Sequence, residues 1–297
     1  MLSIANVGAH FDQYEFADGT TLSRIEFDVH GRAVLYGTDG DDLIVGGVTT
    51  AGGDVGRFAD ENLLFGGAGN DTMIFGRSDF GDAQHAFGQA GDDTYVIGSD
   101  NGHVLLTADA EVSGGGFDTI RFSDLSLSDL AVSQRYWDGV QGNVLEFSWA
   151  AEGDRPQGLL SIANVGAHFD QYEFADGTSL SSMSVNGDGS VVLVGSSEAD
   201  LISGTNSHDI ISGGSGNDVF LFNAAATGHD TISDFVAGAG SEDVVQLAAS
   251  EFGDFASVLA AASDNGADTV IALDAANSLT LEGVLLADLH QDDFQFV

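Results

Sequence analysis

Asp200, Asp209 and Asp218 stand nine residues apart, and a large apolar residue follows each of them by two: Ile202, Ile211 and Phe220. The third copy reads Gly213-Gly214-Ser215-Gly216-Asn217-Asp218-Val219-Phe220-Leu221, a glycine-rich turn that runs into a short apolar stretch. Glycine lets the backbone turn sharply with positive φ. Such a turn can aim carbonyl oxygens and one carboxylate at a hard divalent cation. The three residues after the aspartate read as a short strand whose middle side chain points inward. One Gly-Asn-Asp is ordinary turn chemistry, but three copies in one register over residues 195–221 make a repeat.

Nearer the N-terminus, residues 34–100 form a first, less regular block. It contains Gly37-Thr38-Asp39-Gly40-Asp41-Asp42, then Gly66-Gly67-Ala68-Gly69-Asn70-Asp71, then Gly88-Gln89-Ala90-Gly91-Asp92-Asp93. These copies and the last copy within residues 195–221 resemble the repeats-in-toxin family, whose nonapeptides bind calcium and alternate between the two sides of a flattened parallel β-roll. The resemblance implies that loops 18 residues apart are neighbours on one edge, so Asp200 and Asp218 share an edge and Asp209 faces the other. Asp71 and Asp93 are 22 apart, one such turn plus four inserted residues, and should also share an edge. Asn62 and Gln84 fall where the intervening aspartate would be, which predicts an opposite edge poor in charge. Residues 48–57 read as an inserted loop.

In that family calcium sits between neighbouring loops, held by aspartate carboxylates and loop carbonyls. Carried onto this chain residue by residue, the candidate ligands of the first block are Gly37, Asp39 and Asp42, then Gly66, Ala68 and Asp71, then Gly88, Ala90 and Asp93. Those of the second block are Gly195 and Asp200, then Gly204, Asn206 and Asp209, then Gly213, Ser215 and Asp218, with Asp230 completing a last site. Ser196, Glu198, Thr205 and Ser207 replace glycines of the pattern, so the earlier loops of this block depart from it. Ile44, Met73, Tyr95, Ile202, Ile211 and Phe220 are the expected core of the roll.

The charge balance fits this chemistry. Seven basic residues against 47 acidic ones give a formal net charge of −40, yet 43% of the chain is hydrophobic. Disordered acidic tails are poor in apolar residues; this chain can bury a core once its charge is handled. Two carboxylates about 5 Å apart repel by roughly 3 kcal/mol at an effective dielectric near 20, so aspartate-lined loops should resist closing without counter-ions. DNA, RNA and anionic membrane surfaces are poor partners for such a charge. No cysteine is present, which excludes disulfides and thiolate metal sites. The first 30 residues show no basic start followed by an apolar run. No run of 18 apolar residues occurs, so no membrane insertion by a helix is expected.

The chain also contains a long duplication. Residues 2–22, LSIANVGAHFDQYEFADGTTL, recur at 160–180 as LSIANVGAHFDQYEFADGTSL, an offset of 158. Alternating apolar residues around Tyr14, Phe16, Tyr172 and Phe174 lead into Asp-Gly turns, a hairpin signal. The element resembles the FADGT segment of the haemolysin-type calcium-binding-related domain, which implies capping of one roll and the start of the next. On this reading the sequence begins inside a 158-residue unit and is a fragment, or the C-terminal portion, of a longer protein. Toward the end, a helix is expected at 255–262 and a hairpin from 269–273 and 278–281. Asp292-Asp293-Phe294-Gln295-Phe296-Val297 resembles the C-terminal export signal of type I secretion.

Catalytic motifs are not seen. No H-E-x-x-H occurs among the eight histidines, His10 and His168 sit at equivalent places in the duplicated element, and Ser215 precedes a strand where a nucleophile elbow needs a strand leading into a helix. The expected fold is mainly β: two parallel β-roll blocks (34–100 and 193–232), preceded by a partial FADGT element (1–33). A β-rich linker (101–192) would join them, and a small α+β cap (233–297) would close the chain. The expected function is a calcium-binding module of a secreted, extracellular protein that folds on calcium after type I export. A surface adhesin with a glycan or cell-surface partner stays open, with Tyr136 and Trp137 either stacking on a sugar or packing against the roll. The C-terminal part of a secreted enzyme with its catalytic domain upstream stays open too.

Overall fold

The computed structural model describes residues 13–17, 19–29, 32–46, 62–76, 83–107, 115–137, 142–151, 157–163, 169–222, 228–240 and 243–297. The inserted loop expected at 48–57, and His10 and His168, lie outside them.

After each loop aspartate the chain extends for three or four residues, and the middle one turns inward. Ile44, Met73, Ile202, Ile211 and Phe220 are all fully buried, and Tyr95 nearly so. The period-two alternation of a strand puts their neighbours on the outer face. Strands on one side pair in parallel, with Ile202 opposite Phe220 and Leu193 opposite Ile211. The chain steps alternately between two facing sheets, as the 18-residue spacing predicts. One buried cluster fills the space between the sheets along both rolls.

Among the described residues the first roll is an eight-stranded sheet facing a six-stranded one, and the second a seven-stranded sheet facing a four-stranded one. Residues expected to form a linker are woven into the first roll. The strands His103–Thr107 and Gly158–Ala163 extend its larger sheet, and Thr119–Phe122 and Gln171–Glu173 extend the smaller. An antiparallel hairpin, Ala131–Trp137 with Gly142–Trp149, finishes the larger sheet. Tyr136, on that outermost strand, stands 63% exposed instead of packing on the roll.

The last sixty residues likewise add rungs to the second roll. Val244–Leu247 and Phe294–Phe296 pair in parallel on one side, while Ser278–Leu281 pairs with His229–Ile232 on the other. The expected helix occurs as Phe255–Ala261, capped by Asp254, whose carboxylate accepts from Ser257 N–H at 2.8 Å. The expected hairpin is Thr269–Ala272 with Ser278–Leu281.

Each copy of the duplicated segment opens a roll in the same way. Tyr14 pairs with Leu22 and Tyr172 with Leu180, and Leu22 and Leu180 are both buried. Ser23 Oγ donates to the Gly37 carbonyl, and Ser181 Oγ to that of Gly195. Each serine thus ties the hairpin to the first glycine of the roll that follows.

Candidate calcium centre

Aspartates stack into ladders along the edges of the rolls. Asp42 N–H donates to Asp71 Oδ1 and Asp71 N–H to Asp93 Oδ1, each at 2.9 Å. In the second roll Asp200 N–H donates to Asp218 Oδ1 at 2.9 Å. On its opposite edge Asp209 N–H donates to Asp230 Oδ1 at 2.9 Å. The pairings expected from spacing, Asp71 with Asp93 and Asp200 with Asp218, are thus the pairs in contact.

One carboxylate oxygen spaces the rungs; the other turns into its own loop. A Cβ built on Gly66 would lie 2.2 Å from Asp71 Oδ2 and 2.5 Å from the Gly88 carbonyl oxygen. On Gly37 it would meet the Gly66 carbonyl at 2.0 Å and Asp42 Oδ2 at 2.7 Å, and on Gly195 the Gly213 carbonyl at 2.4 Å and Asp200 Oδ2 at 2.8 Å. Glycine opens the repeat because the aspartate and the next loop's carbonyl converge where a side chain would begin. The second and fourth positions turn with positive φ, 97° at Gly214 and 134° at Gly216, which favours glycine.

The loops differ in how that inward oxygen is satisfied. Where a hydroxyl residue replaces the second glycine, the loop supplies its own donor. Thr38 N–H reaches Asp42 Oδ2, Ser196 N–H reaches Asp200 Oδ2 at 2.5 Å, and Thr205 N–H reaches Asp209 Oδ2 at 2.7 Å. Asp71 Oδ2 and Asp230 Oδ2 are buried with no hydrogen-bond partner. An orphaned buried carboxylate oxygen is costly, and it is what a hard cation would satisfy. Burial pushes the Asp71 carboxyl up to about 7, only partly offset by the Asp42 N–H, with the nearby charges of Asp42 and Asp41 adding to the rise. Burial, aided by the charge of Asp209, likewise raises Asp230 to about 7. Asp209 is raised to about 6 by burial, and burial also lifts Asp218.

Among the described residues no three histidine, aspartate or glutamate side chains gather as a ready-made metal cluster. A cation here would take one or two carboxylates and complete its shell with loop carbonyls, as oxygen-rich calcium sites do. The Asp71 carboxylate and the Gly88 carbonyl converge beside Gly66, and the Asp200 carboxylate and the Gly213 carbonyl beside Gly195. The Asn206 side chain reaches across to the first roll, with its Nδ2 donating to the Ser128 carbonyl.

The ladders run past the residues that the sequence pattern singles out. Asp93 N–H donates to Asp118 Oδ1 at 3.0 Å, Asp118 N–H to Asp170 Oδ2 at 2.9 Å, and Asp218 N–H to Asp243 Oδ1 at 3.2 Å. Asp234 caps the last loop of the second roll, accepting from Gly213 N–H and Gly214 N–H, each at 3.0 Å. The signal for these ladder aspartates was the triplet Asp-x-apolar, as in Asp118-Thr119-Ile120 and Asp243-Val244-Val245, behind glycines that fit the nonapeptide only in part.

The edge expected to be poor in charge is built from amides. Gln84 is fully buried and Asn62 nearly so. Gln84 Nε2 donates to the Gly76 carbonyl at 2.8 Å, and Asn101 Nδ2 to the carbonyls of Phe75 and Gly76 at 3.0 and 3.1 Å. Neutral amides do there what charged groups do on the other edge.

The family described as RTX calcium-binding nonapeptide repeat (4 copies) matches residues 31–48, 59–79 and 187–221. This chain carries RTX calcium-binding repeats. The RTX stretches contain Asp42, Asp71, Asp200, Asp209 and Asp218, while the loop ending at Asp93 lies outside them yet joins the same ladder. The RTX nonapeptide repeat is a calcium-binding family, so calcium is the cofactor of these repeats. No curated protein matches the sequence. Among solved structures, the extracellular lipase LipA from Serratia marcescens aligns over 89% of this chain at 16% identity. The TM-score is 0.26, too low to carry an argument, and the chain spans 40% of that lipase's length.

Proposed function

We propose that this chain is the calcium-binding β-roll part of a secreted protein, loose without calcium and folded with it. Its donors are the residues carried over from the repeat pattern, with Asp71, Asp218 and Asp230 in glycine-bearing or orphaned positions and Asp42, Asp200 and Asp209 in loops that partly satisfy themselves. The observation that carries the reading is the pair of buried, partnerless carboxylate oxygens on Asp71 and Asp230.

Bound calcium supplies positive charge among stacked carboxylates; the chain's own residues do the rest. Asp N–H groups fix the rung spacing, glycines leave room for the converging oxygens, and the apolar residue after each aspartate anchors the loop in the core. Calcium binds the closed loops and not the open chain, so it stabilises the fold by about 2.7 kcal/mol per site at one hundred times the dissociation constant. Extracellular modules bind calcium at about 0.1 to 1 mM, which leaves the chain open inside the cell and folded outside. An open chain suits export by type I machinery, so the domain divisions at 33, 100, 192 and 232 read as stages of one continuous winding.

Titration calorimetry tests the donor assignment. Calcium should bind with micromolar to millimolar affinity, roughly the range of oxygen-ligand sites, and an equal concentration of magnesium should give little heat, because magnesium demands stricter geometry and dehydrates reluctantly. Equal heats for the two ions would contradict the proposal.

A further inference from the structure

Residues 171–185 belong to both rolls. Gln171–Glu173 pairs in parallel with Thr119–Phe122 in the smaller sheet of the first roll, and Ser182–Val185 pairs with Val191–Val194 in the larger sheet of the second. Between these strands lies the Asp176-Gly177 turn, which bonds to each roll. On the first-roll side, Phe174 stacks on Phe122 with centroids 4.9 Å apart, and Ala175 N–H donates to the Leu125 carbonyl at 3.0 Å. Leu127 N–H donates to Asp176 Oδ2 at 3.2 Å. Leu125, Leu127 and Leu130 are fully buried, so that donor is fixed by the core of the first roll.

The same carboxylate oxygen serves the second roll. Asp176 Oδ2 accepts from Ser203 Oγ at 2.9 Å, while Asp176 Oδ1 accepts from Thr178 N–H at 2.9 Å. Ser203 N–H in turn donates to Thr178 Oγ1 at 3.1 Å, and Thr178 is 1% exposed. Gly177 turns with φ of 92°, and a Cβ built there would lie 3.2 Å from Leu201 Cδ2. Leu201–Ser203 is the strand that follows Asp200. Asn206, in the loop that ends at Asp209, reaches the Ser128 carbonyl. The first two loops of the second roll are thus each tied to the 125–130 turn of the first, one through Asp176 and one directly.

We infer that the Asp176 turn couples the two rolls, so that calcium loading of the second strengthens calcium loading of the first. The inference rests on the calcium reading above. Closing the loops at Asp200 and Asp209 fixes Ser203 and Asn206, and with them the acceptors that face Leu127 and the turn around it. An open second roll leaves Asp176 and Thr178 without their Ser203 partner, and the first roll must then order its own end. Ordering either side of a shared carboxylate lowers the conformational entropy still to be lost by the other, and such coupling is reciprocal.

The test reads the first roll alone. Both tryptophans of the chain, Trp137 and Trp149, lie in its closing hairpin, and Trp149 is 3% exposed with its Nε1 donating to the Ser99 carbonyl at 3.0 Å. Tryptophan emission is followed during calcium titration of the full chain, with circular dichroism in saturating calcium confirming that each variant folds. Asp218→Asn, which alters only the second roll, should raise the calcium midpoint of the emission change about fivefold. In an Asp176→Ala background the same substitution should shift it less than about twofold, the signature of a broken coupling in a double-mutant cycle. Ser203→Ala, which leaves the Leu127 bond in place, should reduce the shift in the same way. An emission midpoint that ignores Asp218→Asn would overturn the coupling while leaving the calcium reading intact. A shift undiminished by Asp176→Ala and Ser203→Ala would mark the turn as structural only and overturn its role. Emission indifferent to calcium in the unaltered chain would overturn the calcium reading and this inference with it.

Discussion

Asp71 concentrates the conflict on which the fold is built. Its carboxylate is 1% exposed, one oxygen spaces the next rung, and the other has no partner. Asp71→Asn should therefore act in opposite directions in the two states. Without calcium it removes a buried charge and should stabilise the chain, while calcium affinity should fall about tenfold or more with the loss of ligand charge. Folding in chelator driven by a stabilising osmolyte and a calcium titration, run on the same variant, read both effects. Destabilisation in chelator would mark Asp71 as a structural hydrogen-bond acceptor only. Asp218→Ala should likewise shift the calcium titration to higher concentration more than Asn62→Ala, whose edge is held by amides. The glycines give a matched pair: Gly66→Ala should cost about 1–3 kcal/mol in calcium by crowding Asp71 Oδ2 and the Gly88 carbonyl, whereas Gly253, with nothing within 4 Å of its would-be Cβ, should accept alanine within about 0.5 kcal/mol.

The same carboxylates set the pH response. Asp71 and Asp230 are raised to about 7 and Asp209 to about 6 in the folded chain, against roughly 3.9 when unfolded. Without calcium the folded state binds more protons between those limits. Its contribution to stability is fully present below about pH 4 and is lost as pH rises through 6 to 7. Calcium competes with those protons, so its affinity should fall as pH drops from 8 to 5.5. Osmolyte-driven folding in chelator and calcium titration across that range check the two opposite slopes.

At the scale of elements, the rung repeats and the loop varies. Phe220, fully buried in the middle of Val219–Phe222, should cost about 3–5 kcal/mol on truncation to alanine and loosen the second roll in calcium, measured by thermal unfolding. The nonapeptides, their alternation between sheets and the charge-poor edge at Asn62 and Gln84 were legible because glycine, aspartate and an apolar residue recur at fixed spacing. Asp118, Asp170 and Asp243 were not, because a rung needs only an aspartate N–H, a carboxylate and an inward apolar side chain, and the glycines that precede them, as in Gly114-Gly115-Gly116-Phe117-Asp118, fit the nonapeptide only in part. For the same reason residues 101–192 and 233–297 read as linker and cap, while their strands belong to the roll sheets. Tertiary pairing, invisible in local pattern, decided their place.

For the whole molecule, the excess of 40 negative charges and a continuous apolar core favour opposite states, and calcium tips the balance. The duplicated element shows the same sequence used twice, 5% exposed at Phe174 and 39% exposed at Phe16, so what surrounds a segment decides its state as much as what it encodes. Far-UV circular dichroism in chelator, followed by titration with calcium to a few millimolar and a parallel titration with magnesium, tests the coupling of folding to calcium most directly. The account predicts a disordered spectrum in chelator, β structure with calcium and little change with magnesium; a fully formed β spectrum in chelator would contradict it.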